Sequence, residues 1–271
     1  MPKTVRIGAI IIICLLVVAC LAPVLTPVNP LAVNMGEKLQ GLSRQHPMGT
    51  DQLGRDVLSR VLYGARTSMA ASFSVVIICL AVGIAIGCIA GFYGGVIDEL
   101  LMRLVDIMMA FPPFILPIAI TGILGPSLTN IIIALALTSW VGYARMVRSS
   151  VLTLKHLDFV AAAKAMGSSR SRIIREHIVP NAVHPLVVYA AFNASHTILA
   201  ISGLSFIGLG AQPPTPEWGN MLSEACSFMG SSPYLFIFPG LMIMLTVLAF
   251  NLLGDGLRDY LDPRLGTEVD L

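Results

Sequence analysis

The sequence predicts an all-α integral membrane protein of about six transmembrane helices, and three observations predict it. Of 271 residues, 56% are hydrophobic and only 12% are charged, whereas an ordinary soluble domain carries about 25% charged residues. Six apolar runs, at about 8–25, 69–92, 104–124, 130–144, 185–209 and 235–253, approach or reach spanning length. A hydrocarbon core of about 30 Å takes roughly 20 residues of helix, and a helix leaves no backbone group unsatisfied in lipid. The lysines and arginines fall between these runs and not along one stripe, and the net charge is only +2, so the electrostatic footprint of a nucleic-acid binder is missing.

The first run follows Lys3 and Arg6, and Val17-Val18-Ala19-Cys20 looks like a lipoprotein processing site. Apolar residues continue past Cys20 to Leu25, so this run is expected to stay as a membrane anchor. Cys14, Cys20, Cys79 and Cys88 lie inside apolar runs and Cys226 sits alone in a polar segment, with no CxxC pair and no metal-ligand spacing. All five are expected to be packing residues.

Residues 26–68 separate the anchor from the second run. From Asp51 onward Val57, Leu58, Val61 and Leu62 recur at helical spacing with Arg55, Asp56, Ser59 and Arg60 between them. Two readings fit: a short amphipathic helix on the membrane surface, or a solvated helix packed on its own bundle.

In the second run Gly83, Gly87, Gly91 and Gly95 mark every fourth position, a face without side chains along which a neighbouring helix can approach closely. The third run contains Pro112, Pro113 and Pro117. Each interrupts the helical hydrogen-bond ladder, so a kink or break is expected near 111–114. A broken helix lines a pathway or is merely bent. Arg103 and Asp106, spaced i,i+3 at the start of this run, are expected to pair with each other.

Between the fourth and fifth runs lies a polar, basic connection, 145–184. Phe159, Val160, Ala162 and Ala163, then Ile173, Ile174 and Ile178, keep apolar residues at helical spacing on both sides of Gly167. Two short helices joined at a glycine are expected, the second capped by the serines 168, 169 and 171 and ended by Pro180 and Asn181.

Placing the N-terminus inside puts 12 of the 17 basic residues on the cytoplasmic side, seven of them in the connection 145–184. An even number of crossings then puts the C-terminus inside as well. The exception is 26–68, whose Lys38, Arg44, Arg55, Arg60 and Arg66 fall outside, partly offset by Asp51 and Asp56.

Within the connection, Ala161-Ala162-Ala163, three residues, Gly167, nine residues and His177-Ile178-Val179-Pro180 resemble the cytoplasmic loop motif of ATP-binding-cassette import permeases. The usual form begins with glutamate; Ala161 stands there, a departure common in the peptide and nickel branch. The resemblance covers nearly the whole chain. The segment from His46 to Asp56, then Arg103, Asp106 and Phe111-Pro112, the segment Ser205 to Gly210, Glu217-Trp218-Gly219, Asn251 to Asp255, and Leu261-Asp262-Pro263-Arg264 are similar to the C-type permeases of dipeptide, oligopeptide and nickel importers.

The resemblance implies the type I importer permease fold, with an anchor and extracytoplasmic segment at 1–68, a permease core of five spans at 69–255 and a cytoplasmic tail at 256–271. It implies alternating access in a multi-pass protein of the bacterial inner membrane. Ala161, Ala162, Ala163, Gly167, His177 and Pro180 would then couple the channel to an ATPase. The implied partners are a homologous second permease of B type, two ATPase subunits that bind ATP and Mg, and an extracytoplasmic binding protein. No cofactor is expected on this chain, and the absence of a GxxxxGK[ST] phosphate loop independently assigns ATP hydrolysis to another polypeptide.

His196 sits mid-span near Asn193 and Ser195. It either faces the channel or is hydrogen-bonded to a neighbouring helix. With Asn193, Phe111 and Pro112 it makes the candidate path, and as an imidazole it is a tentative nickel ligand. Met242 and Met244 are expected to pack. A membrane-embedded enzyme would need HExxH, GxSxG or paired intramembrane aspartates, and a stand-alone secondary transporter would show internal repeats and coupling carboxylates; neither pattern is found. Nickel or a nickel chelate, dipeptide and oligopeptide stay open as cargo, nickel slightly ahead.

Overall fold

The computed structural model describes residues 3–26 and 28–261; of the expected tail 256–271, residues 256–261 continue α10 and 262–271, among them Asp262, Pro263 and Arg264, lie outside the described residues. Ten α-helices carry the described chain: α1 (Lys3–Leu25), α2 (Val57–Tyr93), α3 (Gly95–Met109), α4 (Ile115–Leu124), α5 (Leu128–Leu154), α6 (Asp158–Ala165), α7 (Arg170–Ile173), α8 (Val179–Phe206), α9 (Trp218–Ala225) and α10 (Tyr234–Leu261). Five helical stretches are long and apolar enough to cross a membrane: α1, α2, α5, residues 185–206 of α8, and α10.

The third expected span is the broken one. α3 stops at Met109 and α4 begins at Ile115, and the prolines at 112 and 113 occupy the gap as expected. Together the two pieces still carry the chain back across the bundle. Gly83 faces Tyr143 and Gly91 faces Val151, so α2 and α5 run parallel, and residues 94–127 must return from one end to the other. The return is strapped by Asp98, whose carboxylate receives two bonds from the Arg148 guanidinium at 2.5 and 2.6 Å.

The glycine face of α2 is the seam. A Cβ on Gly83 would stand 2.3 Å from the Tyr143 Cβ, and one on Gly87 would stand 2.6 Å from the Ala144 carbonyl oxygen. Gly91 packs on Val151 in the same way, and its carbonyl accepts a bond from Lys155 Nζ at 2.9 Å. Backbones this close gain dispersion and exclude lipid, the main sources of helix association in a membrane. Gly95 departs from the pattern: it lies beyond the end of α2, has φ +58° and has open space around it.

α1 and α10 pack antiparallel. Gly8 abuts the backbone at Ala249 and Leu253, and Gly256 abuts Thr4 and Val5. The start of α1 and the end of α10 therefore share one end of the bundle, as an even number of passages requires. Cys79 and Cys88 are buried, but Cys14, Cys20 and Cys226 are exposed, so the expectation that all five pack in the core fails for three. The first two lie on the outer face of a peripheral helix, where a thiol is as acceptable to lipid as a methyl group.

No short surface helix forms from Asp51. α2 is one helix of 37 residues, roughly 55 Å long, so its first turns project beyond a hydrocarbon core of about 30 Å. There Arg55 and Arg60 are both 1% exposed. Arg55 Nε lies 2.6 Å from Asp51 Oδ2, and Glu224 Oε2 on α9 lies 3.1 Å from Arg55 and 2.9 Å from Arg60. Asp56 caps α2 through the Ser59 N–H at 2.7 Å and receives His46 Nδ1 at 2.8 Å. The alternation of charged and apolar residues here encodes a buried ion network, not a wet face.

α9 locks against this network. Trp218, fully buried, donates from Nε1 to the Val61 carbonyl at 3.0 Å. Glu217 caps the helix through the N–H groups of Gly219 and Asn220 at 3.0 and 2.9 Å. Burial pushes its carboxyl above the usual range, against the downward pull of those bonds.

Arg103 and Asp106 do not pair with each other. Arg103 bonds Glu99 one turn back at 2.7 Å, and Asp106 bonds Arg145 of α5 at 2.5 Å. The i,i+4 partner competes successfully with the i,i+3 one, and Asp106 is turned toward α5 instead.

Candidate functional site

α8 places Asn193 and His196 on one face, together with Tyr189 one turn earlier and Thr197 and Ala200 one turn later. This face borders a cavity of about 860 Å³. The opposite wall is the break between α3 and α4, where Phe111, Pro112 and Pro113 leave the helix and Phe114 leads into the next one. All four residues expected on the path, Phe111, Pro112, Asn193 and His196, line this one space. α5 supplies the floor with Thr138, Ser139 and Tyr143.

Among the described residues the cavity wall contains no lysine, arginine, aspartate or glutamate. His196 is exposed to it and its Nδ1 sits 2.9 Å from the Phe192 carbonyl oxygen, which leaves Nε2 facing outward. Asn193 donates from Nδ2 to the Tyr189 carbonyl at 3.0 Å, so its amide oxygen stays free. The Tyr143 and Tyr189 rings meet edge to face with centroids 4.9 Å apart, and among the described residues the buried Tyr143 hydroxyl has no hydrogen-bond partner. Such a wall can solvate an uncharged or internally neutralised guest through aromatic faces and neutral dipoles.

Sequence reasoning missed Tyr143, Tyr189, Met108 and Met109. Tyr189, Asn193, His196 and Ala200 recur at steps of four, three and four, so the first tyrosine was available from helical spacing around His196. The two methionines were not, because only the break after α3 turns them inward.

The second predicted group forms a separate structure at the end of the bundle where α2 and α5 finish. Ala161, Ala162 and Ala163 lie on α6, with Ala163 buried and the other two exposed. Gly167 follows with φ +78° and nothing within 4 Å of a built Cβ. Ser169 then caps α7 through the Arg172 N–H at 3.4 Å. The expected pair of short helices joined at a glycine is present. Its expected end is not: Pro180 and Asn181 terminate nothing, because α7 passes through a π-helical turn (Ile174–Ile178) directly into α8. Pro180 follows the π-helical turn directly, where the i→i−4 ladder is already interrupted and its missing N–H is tolerated. His177 lies in the π-helical turn with its ring 6.2 Å from that of Phe159, so the two short helices touch across the bend.

Residues 83–267 match the family described as binding-protein-dependent transport system inner membrane component. A dipeptide transport system permease protein of Alkalihalophilus pseudofirmus is 47% identical over 263 residues, covering 97% of this chain and 86% of that protein. A nickel transport system permease protein of Escherichia coli K12 is 40% identical over 265 residues, covering 98% and 96%. Among solved structures, the inward-facing MetNI methionine ABC transporter superposes with a TM-score of 0.57 at 17% identity, over 75% of this chain and 97% of that one.

Proposed function

The chain belongs to the binding-protein-dependent transport system inner membrane component family, and from that premise we propose that it forms half of a channel that imports short peptides. It is a permease subunit of an ATP-driven importer of the dipeptide and nickel branch, with ATP hydrolysis on separate subunits. The observation that carries the cargo assignment is the uncharged cavity wall. A Ni²⁺ ion that sheds part of its hydration needs several nitrogen, oxygen or sulfur donors. Among the described residues one imidazole faces the space, with one nitrogen already beside a backbone carbonyl, and no group of three or more histidines, cysteines, aspartates or glutamates gathers to hold a metal ion; the other donors are neutral thioethers, a thiol, hydroxyls and an amide. A zwitterionic peptide neutralises itself and can pass over tyrosine rings, the Asn193 amide oxygen and hydroxyl groups.

In this reading a homologous second permease closes the open side of the cavity, and two ATPases bind ATP and Mg at the end bearing α6 and α7. An external binding protein delivers cargo to the other end. The termini are cytoplasmic, and the segment Ala161 to Pro180 carries the ATPase stroke to α8. Direct helical continuity from α7 through the π-helical turn into α8 supports such a lever, because a continuous helix transmits rotation to the face that holds Asn193 and His196.

Uptake of a radioactive dipeptide and of radioactive nickel, compared in cells with and without the complete transporter, tests the cargo. Dipeptide uptake that needs this chain, and that falls by no more than about twelve-fold in His196→Ala, is expected; a neutral dipole near a bound guest is worth about 0.5–1.5 kcal/mol. Nickel uptake without dipeptide uptake overturns the assignment.

A further inference from the structure

We propose that the junction between the end of α2 and the bend after α6 holds the phosphate group of an anionic phospholipid. A second cavity, of about 410 Å³, opens there between Phe92 and Tyr93 of α2, Lys155 at the end of α5, and Lys164, Ser168 and Arg170 around the bend. Three cations and one hydroxyl converge on it. Among the described residues none of the three cations pairs with a carboxylate. The nearby acid, Asp98, is already held in two bonds by Arg148, and Lys155 acts on it only at longer range. Lys155 gives one proton to the Gly91 carbonyl at 2.9 Å, which fixes the ammonium and leaves two donors.

The other two cations are positioned by aromatic rings. Lys164 Nζ stands 5.7 Å from the Phe92 ring centroid, and Arg170 Cζ stands 5.6 Å from that of Tyr93. A ring face attracts a cation without neutralising it, so both keep their full charge toward the cavity. A cluster of like charges held in place without a counterion repels itself, and binding an anion relieves that cost.

The surroundings favour a lipid over a free ion. Just past Tyr93, α3 begins at Gly95 and carries in its first turns Val96, Ile97 and Leu100, which are 71%, 46% and 63% exposed. The cations therefore adjoin apolar surface at the end of a spanning helix, the level at which aromatic residues and headgroups meet. A basic pocket between helices at this depth recognises an anionic headgroup by charge, while the apolar start of α3 accepts acyl chain. This inference is independent of the cargo, and its test reads lipid alone.

The complete transporter, purified in detergent after incubation with equal parts of phosphatidylcholine and phosphatidylglycerol, is weighed by native mass spectrometry. Selective retention of phosphatidylglycerol is expected. The double variant Lys164→Met, Arg170→Gln should retain it roughly 25-fold more weakly, since each basic residue near a membrane surface contributes about five-fold. The charge-keeping double variant Lys164→Arg, Arg170→Lys should restore retention, and both should keep the thermal midpoint of the parent. Adding inorganic phosphate in excess distinguishes the source: unchanged lipid retention supports the headgroup, and displacement by phosphate overturns the lipid assignment. Equal retention by the neutral variant overturns the site. So does a neutral variant that keeps its lipid but loses its ATPase subunits on purification, because the cavity would then be a protein interface.

Discussion

The two ends of the α2 helix solve the same problem, charges near a membrane, in opposite ways. At its start Asp51, Arg55, Arg60 and Glu224 neutralise one another, with both arginines 1% exposed. At its finish Lys155, Lys164 and Arg170 line one cavity without a carboxylate partner among the described residues, and the pair between Arg172 and Glu176 nearby is 61% and 51% exposed. The first end is complete in itself. The second leaves cations, an open glycine bend and exposed alanines unanswered by the chain, which is the arrangement a surface keeps when something else completes it. Rigidity belongs to the end that holds the extracytoplasmic segment in the proposed orientation, and adjustability to the end that meets the ATPase.

Removing Glu224 should break this contrast most severely. Glu224→Ala leaves Arg55 and Arg60 sharing Asp51 alone, and stripping one member from a buried charge network costs about 3–5 kcal/mol. Thermal unfolding in detergent should show the loss. Arg172→Ala, at an exposed pair, should stay within about 0.5 kcal/mol. Similar losses for the two variants would mean that the ends do not differ as described.

The seam along α2 gives the next largest effect. Gly87→Val would set a Cβ 2.6 Å from the Ala144 carbonyl oxygen and 2.7 Å from the Val147 Cβ, and overpacking of that kind costs about 1–3 kcal/mol. Gly122→Ala on α4 meets nothing within 4 Å and should be neutral to slightly stabilising through helix propensity. The yield of monodisperse protein after detergent extraction ranks the two.

Much of this was legible from the sequence. Glycine spacing gave the seam, three prolines gave the break between α3 and α4, and a serine after Gly167 gave the cap of α7, because each of these residues acts through its own backbone or its nearest turn. What stayed hidden depends on partners distant in sequence. Arg55 and Arg60 read as a polar face until Glu224, over 160 residues away, buries them. Asp106 read as the partner of Arg103 until α5 offers Arg145. Pro180 read as a helix end, yet a π-helical turn just before it interrupts the i→i−4 ladder and lets the helix run through the proline. For the candidate path, the four named residues do share one cavity, while Tyr143 and Met108 needed the helix crossing to bring them in.

The smallest effect on stability should carry the largest functional signal. Gly167 holds φ +78° with empty space around its Cβ position, so Gly167→Val meets no neighbour and pays only for the left-handed backbone, about 1–2 kcal/mol. That strain is relieved by swinging α7 relative to α6 about the bend. The spans, the seam and the ion network are untouched, so membrane abundance and thermal midpoint should stay close to the parent. In the proposed mechanism the ATPase stroke enters through this bend, so transport and substrate-stimulated ATP hydrolysis should fall together by more than ten-fold, the consequence of misaligning a contact worth more than about 1.4 kcal/mol. Gly167→Asn, whose side chain tolerates the left-handed region, should recover most of both activities. If Gly167→Val instead lowers abundance in step with transport, the bend is a folding element, and the contrast between a rigid end and an adjustable one collapses at the residue on which it depends most.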